Sequence, residues 1–482
     1  MIRFDKILTH TLCQFLLICL IISVSLSLTG CSDGLTQLER IKSRGNLRVA
    51  LIATPPLYFP DESLIRGYDY EIIADYAKSI GVKLEITRAS TIDEISTILK
   101  QGKVHIGIAG SAPVFPDKEI ANSIAYNEDE WYVIGHRKES LPKSIEEITP
   151  STVIVAKGST PSLVLANIKP EYPELFWLEL PNGNTRQVLD QVNKGNFKLS
   201  VVDADIYAYY RYLFTDVKVA FTLPKKYSSH WLTINNKEDT SLTDSINGFL
   251  ASYKNSGKLE KKHENYFNHL DEFNYVDSQY YLKRIKNKLG LYGHYFHKAA
   301  VNNEFDARFL KAVSYQESHW NPLARSYTGV RGLMMLTNDT AKRVGVTDRL
   351  DPEQSVMGGA KYLNILKASI PEHIEEPDRS WMTLASYNVG LGHLEDARII
   401  TQKLGDNPDS WIDVEKHLPK LSQLKWYEQT KHGYARGREP VKFVRSIRRY
   451  YDILRLYQQE EILEKLDKPL DLNNLQINSP VF

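Results

Sequence analysis

The residue with the strongest chemical signal in this sequence is Glu317, within the stretch SYQESHW. Phe309, Leu310 and Val313 form the apolar stripe of a predicted helix, and Glu317 follows Val313 by four residues, where another apolar residue is due. Burial of a carboxylate without a cationic partner disfavours its charged form, so its pKa rises. Such an acid keeps its proton near neutral pH and can donate it to a leaving-group oxygen. The alternative is a Glu at a helix end that is satisfied by a backbone group or a Ser hydroxyl.

A short glycine-containing block follows the acid. Ser318 comes directly after Glu317, and Gly329 and Gly332 precede Leu333 and Met334 in the pattern Gly-x-x-Gly-Leu-Met. The two glycines permit a tight backbone path close to a ligand, although ordinary turn glycines would explain the same geometry. The Ser318 hydroxyl is suited either to a substrate contact or to capping the end of the helix.

A third block contains Tyr387 and Asn388 in the pattern Ala-x-Tyr-Asn-x-Gly. The three blocks, in this order, resemble the goose-type lysozyme-like catalytic domain of soluble lytic transglycosylases. The resemblance implies that the three blocks contact a glycan substrate. Tyr387 and Asn388 would then orient Glu317 or an N-acetyl group; the alternative is a buried, hydrogen-bonded pair that holds two helices together.

The resemblance also implies the reaction. Lytic transglycosylases cut the β-1,4 bond between N-acetylmuramic acid and N-acetylglucosamine in peptidoglycan, and the muramic acid C6 hydroxyl closes a 1,6-anhydro ring without water. Hydrolysis usually needs two carboxylates, whereas Asp339 is assigned to a helix start and Glu395 to a solvated face. A single acid, Glu317, would serve as acid and then as base. A lysozyme-like hydrolase and a sensor whose inactive domain only holds glycan are the alternatives.

No cofactor or metal is expected, because the sequence has no helix-spaced His pair with acidic support. Two positions depart from the family pattern. Met335 stands where many relatives have Gln, and Phe443 stands where the family has Tyr, so neither offers the usual polar group. Tyr434 would replace the missing hydroxyl only if its loop folds back.

The region before the helical part alternates short β-rich runs with amphipathic helices, which predicts an α/β domain with a parallel sheet. This region resembles the bacterial extracellular solute-binding proteins of the amino-acid branch. The resemblance rests on Gly67 and Asp69 before the first long helix, on Gly102 and on the stretch AKGST. The resemblance implies two lobes with a ligand between them. The candidate ligand-binding residues are Asp69, Gly158, Ser159, Thr160 and Asp205. The family's Thr-x-x-Arg segment falls on PVFPDKE, where Lys118 is the nearest cation, and a lobe pair without any ligand stays an equal alternative.

The predicted architecture is therefore an N-terminal two-lobed α/β domain like a periplasmic binding protein, followed by an all-α lysozyme-like domain. This order is most similar to the membrane-bound lytic murein transglycosylase F group. The predicted boundaries are a signal peptide at 1–30, a linker at 31–44, the regulatory domain at 45–268, the catalytic domain at 269–465 and a tail at 466–482.

The first residues indicate export. Arg3 and Lys6 precede an apolar run that is short for a membrane span and typical of a signal peptide. The run ends in Leu-Thr-Gly followed by Cys31, which resembles the lipobox of bacterial lipoproteins, so Cys31 is the predicted lipidation site; a simple cleaved signal or an uncleaved anchor is the alternative. The resemblance places the protein at the periplasmic face of the outer membrane.

With a net charge of +1, the chain shows no global attraction to nucleic acid, and its expected partners are peptidoglycan strands and a small cell-wall peptide or amino acid.

Overall fold

A computed structural model describes residues 34–58, 66–148, 153–270, 275–466 and 475–478. The predicted signal peptide and Cys31 lie outside the described residues. Within the described ranges, no helix combines the length and the apolar character needed to span a membrane.

The first lobe is built on a mixed sheet with the strand order β2-β1-β3-β11-β4, and β5 pairs with β11. The β1–β2 and β1–β3 pairs are parallel, as the strand-helix alternation predicts, whereas β11 returns antiparallel to β3. Its elements up to the crossing into the second lobe are α1 Gln37–Arg44, β1 Asn46–Ile52, α2 Tyr68–Ser79, β2 Lys83–Ala89, α3 Ile92–Lys100, β3 Ile106–Ala112, β4 Ile120–Asn122 and β5 Asn127–Asp129.

The second lobe contains two three-stranded arrangements, β10-β6-β9 and β12-β8-β7, in which β12 is the strand Gln476–Asn478 near the end of the chain. The chain then returns through β11 to the first lobe and ends this domain with two helices. The elements are β6 Trp131–His136, β7 Ile154–Ala156, α4 Thr160–Ile168, β8 Trp177–Leu180, α5 Thr185–Asn193, β9 Leu199–Asp203, α6 Ala204–Tyr210, β10 Val217–Thr222, β11 Tyr227–Ile234, α7 Ser241–Asn255 and α8 Lys258–Phe267.

Part of the predicted linker 31–44 is helical. Thr36 and Glu39 form a capping box at the start of α1, and Gly45 ends the helix with a left-handed φ of 73°. Ile41 is 2% exposed, and α1 packs against α7 and β1. The helix therefore belongs to the α/β domain, because it buries an apolar residue there.

The second domain is helical, as predicted. A long first helix and a long last helix enclose the shorter ones, and α10 packs on the last helix, α17. The elements are α9 Tyr275–Asn303, α10 Ala307–Ser318, α11 Asn338–Val344, α12 Pro352–Ser369, α13 Asp378–Val389, α14 Leu391–Lys403, α15 Trp411–His417, α16 Leu424–Tyr427 and α17 Arg438–Leu466.

The two domains are docked through the end of the α/β domain. Lys261 Nζ on α8 lies 2.7 Å from Asp413 Oδ2, and His269 Nε2 lies 2.6 Å from Asp452 Oδ2 on α17. Apolar side chains of both domains also belong to one continuous buried cluster. The connection is therefore packed, in agreement with its lack of Gly- and Ser-rich tether sequence.

The predicted tail contains a strand. Residues Gln476–Asn478 form β12, which pairs antiparallel with β8 of the second lobe in the register Ile477 to Leu178. Local periodicity did not indicate this pairing, because an edge strand is completed by a partner that lies far away along the chain.

Candidate active site

Helix α10 places Glu317 in its last turn. Asp306 caps the start of the helix by accepting a hydrogen bond from the Arg308 N–H at 2.8 Å. The helix ends at His319, which has a left-handed φ of 49°, and the Trp320 indole N–H donates to the Lys311 carbonyl oxygen at 2.9 Å. These contacts fix where the helix ends, and they therefore hold Glu317 at a defined position in its last turn.

The apolar stripe of α10 is buried as predicted. Phe309 is 5% exposed, Leu310 and Val313 are 0% exposed, and Glu317 at the end of the stripe is partly buried. Burial raises the pKa of the Glu317 carboxyl group to about 8, and no charged group contributes to this shift. Among the described residues, none forms a hydrogen bond or ion pair with this carboxyl group. The Glu317 carboxyl is thus an unpaired acid that stays protonated at neutral pH.

The block after α10 contacts the helix through its backbone. The Ser314 and Ser318 hydroxyl groups each lie 2.9 Å from the Leu333 carbonyl oxygen, and both side chains project from the same face of α10. Leu333 and Met334 are 0% exposed. Both side chains are packed in the apolar core, so the substrate contact expected of Leu333 and Met334, which stays a prediction, would have to be made by their backbone groups. The Ser318 hydroxyl is likewise used within the chain.

Gly329 and Gly332 both have a left-handed φ of 84°, but they differ in their surroundings. A Cβ atom on Gly332 would lie 1.8 Å from the Arg349 carbonyl oxygen, whereas a Cβ atom on Gly329 would meet nothing within 4 Å. The Arg349 guanidinium in turn donates to the carbonyl oxygens of Gly329 at 2.9 Å and Leu336 at 2.8 Å. Gly332 is thus required by close packing, and Gly329 is an exposed turn residue.

Tyr387 lies near the end of α13 and connects this helix to the glycine block. Its hydroxyl group donates to the Met334 carbonyl oxygen at 2.8 Å. Burial raises the pKa of Tyr387 well above its usual value, and the charge of Glu317 raises it further. Asn388 is exposed at the end of the same helix. Tyr387 thus matches the alternative of a hydrogen-bonded residue that holds elements together, although its partner is a loop carbonyl and not Asn388.

Sequence reasoning missed two residues that shape this site, Ser314 and Arg349, which hold the glycine block. Phe443, noted above as a departure from the family pattern, stacks on Tyr387 with ring centroids 6.4 Å apart and an interplanar angle of 8°. The spacing of Ser314 and Ser318 by four residues was a usable signal, because it places both hydroxyl groups on one helix face. Tyr434 is 56% exposed and packs edge-on against Tyr427.

The two carboxylates considered as partners for Glu317 have other surroundings. Glu395 accepts two hydrogen bonds from the Arg398 guanidinium, at 2.9 and 2.8 Å. Asp339 is exposed in the first turn of α11, where Thr337 is the cap. The expected helix start at Asp339 is therefore confirmed, and Glu395 pairs with an arginine.

Replacement of Tyr387 by Phe tests the connection between α13 and the glycine block. The substitution leaves the Met334 carbonyl oxygen without its donor, so we expect a loss of about 1–3 kcal/mol in the free energy of unfolding. Chemical denaturation of the two proteins measures it. A variant as stable as the wild type would show that water replaces the hydroxyl at no cost.

In the α/β domain, the structure brings Asp69 and Asp205 together. The Tyr126 hydroxyl donates to the Asp69 carboxylate at 2.7 Å, and burial raises the pKa of Asp69 to about 7, with a further contribution from the charge of Asp205. His263 Nε2 lies 3.3 Å from Asp205 Oδ2. These residues lie where β5, α2, α6 and α8 meet.

The start of α4 is formed by Gly158, Ser159 and Thr160. The structure shows no hydrogen bond between these described residues and Asp69 or Asp205. Ser159 caps the helix and donates to the Ala156 carbonyl oxygen at 2.6 Å. The Thr160 hydroxyl donates across the lobes to the Ala109 carbonyl oxygen of β3 at 3.4 Å. Both side chains are buried and hydrogen-bonded within the chain, and their role as ligand-binding residues stays a prediction.

Comparison with known proteins matches both domains. Residues 47–269 match the bacterial extracellular solute-binding proteins, family 3, and residues 294–409 match the transglycosylase SLT domain. A cysteine-binding protein from Campylobacter jejuni, known from its crystal structure, covers 50% of this chain and 98% of its own at 18% identity, with a TM-score of 0.44.

Two curated relatives extend over nearly the whole chain. Membrane-bound lytic murein transglycosylase F from Pseudomonas fluorescens (strain Pf0-1) is 40% identical over 441 residues, which are 91% of this chain and 90% of the relative. The protein of the same name from Stutzerimonas stutzeri is 40% identical over 445 residues, or 92% and 91% of the two chains. The order of the two matched domains also agrees with the architecture described above. The chain therefore belongs to the membrane-bound lytic murein transglycosylase F family.

Proposed function

We propose that Glu317 is the single acid and base with which this lytic murein transglycosylase cuts peptidoglycan strands. The observation that carries the proposal is the unpaired carboxyl group of Glu317, whose pKa is raised to about 8 by burial. An acid protonated at neutral pH is suited to donate a proton to a glycosidic oxygen. Its lack of a carboxylate partner among the described residues favours a reaction without activated water.

The reaction has two steps. Glu317 first donates its proton to the oxygen that links N-acetylmuramic acid C1 to N-acetylglucosamine, and the C1–O bond breaks with the proton on the leaving sugar. The C6 hydroxyl of the same muramic acid then attacks C1, and its proton passes to the Glu317 carboxylate. The product carries a 1,6-anhydro ring, and the enzyme regains its starting protonation state.

The surrounding residues divide into two groups under this proposal. Exposed Asn388 and Gly329 are available to contact the glycan directly, through a side-chain amide and through backbone. Ser318 and Tyr387 act as positioning residues, because their hydroxyl groups hold the backbone of Leu333 and Met334 against α10 and α13.

The products distinguish this reaction from hydrolysis. Digestion of purified sacculi should release muropeptides that end in 1,6-anhydromuramic acid, each lighter by one water molecule than its hydrolytic counterpart. Mass spectrometry of the released fragments measures the difference. Products with reducing-end muramic acid would replace the proposal with a lysozyme-like hydrolase.

The pH dependence of the rate follows from the raised pKa of Glu317. The acid must be protonated in the free enzyme, so we expect kcat/KM to be level below pH 8 and to fall about tenfold per pH unit above the pKa of about 8. Initial rates on solubilised glycan strands across this range measure it, with circular dichroism at each pH as a check on folding. A fall that begins near the ordinary Glu pKa would contradict the proposed role.

The α/β domain, within the proposed boundaries 45–268 and with helix α1 packed on it, supplies regulation in this proposal. A small cell-wall peptide or amino acid would bind between the lobes and change the activity of the catalytic domain at 269–465. Calorimetric titration with such peptides tests this, and absence of binding at millimolar concentration would refute it.

We further propose that a lipid on Cys31 anchors the chain at the periplasmic face of the outer membrane. Mass spectrometry of the N-terminal peptide would detect the lipid.

A further inference from the structure

A group of ligating side chains lies away from the catalytic site, where three parts of the α/β domain meet. Asp129 ends β5 of the first lobe, Asp205 lies in the first turn of α6 in the second lobe, and His263 lies in α8. One ligand atom from each residue lies within 4.8 Å of the other two. These residues are far apart in the sequence, so no motif spacing revealed them.

The charges in this group are not balanced by cations of the protein. The carboxylates of Asp69 and Asp203 also act electrostatically on Asp129 or on one another. Within the described ranges, no Lys or Arg forms an ion pair with any of these four aspartates, and His263 is the one basic group in contact with them, through Asp205. Several carboxylates without a cation are costly in a site where Asp129 and Asp69 are buried.

The hydroxyl group of Tyr68, next to this group of side chains, is buried without a hydrogen-bond partner among the described residues. Tyr68 is 1% exposed. The charges of Asp69, Asp205 and Asp129 all act on this phenol, and its ring packs edge-on against the His263 ring at 5.6 Å. A buried polar group left unpaired in this way is uncommon and indicates a bound water or ion.

We propose that Asp129, Asp205 and His263 bind a divalent metal ion of the zinc class. One imidazole and two carboxylates form a ligand set suited to Zn²⁺, whereas Ca²⁺ and Mg²⁺ prefer oxygen ligands alone. The 3.3 Å between His263 Nε2 and Asp205 Oδ2 is close to the separation of two ligands held at about 2.1 Å from a tetrahedral ion. A metal-bound water would occupy the fourth position, and the Tyr68 hydroxyl is available to it.

The location gives the metal a structural consequence. Helix α8 carries His263, and two residues earlier it carries Lys261, which pairs with Asp413 of the helical domain. A metal ion would therefore connect both lobes to the helix that docks on the catalytic domain. This site is separate from Glu317 and does not depend on the proposed catalytic role.

Isothermal titration of the full-length chain, stripped of metal with a chelator, tests the proposal. We expect one equivalent of Zn²⁺ to bind, with binding at least tenfold weaker in His263→Ala and in Asp205→Asn. Co²⁺ in place of Zn²⁺ should give an absorption spectrum typical of tetrahedral coordination in the wild type and not in His263→Ala or Asp205→Asn. Ca²⁺ and Mg²⁺ should bind at least tenfold more weakly than Zn²⁺.

His373→Ala is the matched control, because His373 pairs with Asp409 at 3.1 Å on the surface, and no third ligating side chain joins them among the described residues. This variant should bind Zn²⁺ as the wild type does. Asp205→Asn preserves side-chain size, and a thermal melt of each variant in chelator separates folding defects from ligand loss. Absence of Zn²⁺ binding, binding unchanged in both cluster variants, or equal affinity for Ca²⁺ would overturn the proposal.

Discussion

Replacement of Glu317 by Gln is expected to lower the rate of glycan-strand cleavage by about 10²–10⁴-fold while the fold is retained. The amide keeps the size of the side chain but cannot donate a proton to the leaving oxygen or accept one from the C6 hydroxyl. Because one residue serves both steps in the proposed reaction, no second carboxylate would sustain the reaction. Release of anhydromuropeptides from purified sacculi measures the loss.

Glu395→Gln is the matched control for this experiment. Glu395 is also a helical glutamate of the catalytic domain, but its carboxylate is paired with Arg398, so its neutralisation should leave turnover close to that of the wild type. Unchanged release of anhydromuropeptides by Glu317→Gln would contradict the proposed role of Glu317, whereas no release by either protein would support the alternative of a domain that holds glycan without cutting it.

The same substitution has an expected effect on stability. The pKa of Glu317 is raised from its usual value of 4.5 to about 8 in the folded protein, so the native state binds the proton more tightly than the unfolded chain. The wild type therefore loses stability as the pH rises from about 4.5 to 8, and the penalty is complete above that range. The Glu317→Gln variant carries no such penalty, and the difference in stability between variant and wild type should move in favour of the variant over this interval. Denaturation curves at both ends of the interval measure the change.

Replacement of Gly332 by Ala is expected to lower the free energy of unfolding by about 2–5 kcal/mol. The new Cβ atom would lie 1.8 Å from the Arg349 carbonyl oxygen, and the φ of 84° is itself unfavourable for a residue with a side chain. The clash is with backbone, so a side-chain rotation cannot relieve it. Chemical denaturation monitored by tryptophan fluorescence measures the loss.

Gly329→Ala separates the two causes. Gly329 has the same φ of 84° but open space around its Cβ position, so this variant should lose only the conformational share, about 1–2 kcal/mol. Equal losses in the two variants would show that the loop moves away from Arg349 at no cost and that close packing is not the reason for Gly332.

Local patterns in the sequence predicted much of the catalytic region. The spacing of Phe309, Leu310, Val313 and Glu317 placed the acid on the buried face of a helix, because side chains three or four residues apart share a face. The same logic predicted the first three strands of the α/β domain and their parallel pairing. The glycine block was recognised from its resemblance to the transglycosylase motif, but the burial of the Leu333 and Met334 side chains was not predicted.

The interpretation of Leu333 and Met334 shows why a motif does not assign contacts. Their types and order match a substrate-binding block, yet both side chains are buried, and their backbone groups form hydrogen bonds with Ser318, Ser355 and Tyr387. Which atom of a motif residue faces the site depends on how the loop packs against α10 and α13. Those two helices lie far apart along the chain.

The sequence alone determined the order of the two domains and the periods of the strands and helices. It also identified Glu317 as an acid on an apolar helix face. These properties are local, since each depends on residues within a few turns of one another. The three-dimensional structure was needed to establish that the Glu317 carboxyl has no partner in the described part of the chain, that the Arg349 backbone leaves no room beside Gly332, and that Asp129, Asp205 and His263 converge. Each of these depends on segments that meet through long-range packing, and a pKa or a ligand cluster is a property of that shared environment and not of any residue type.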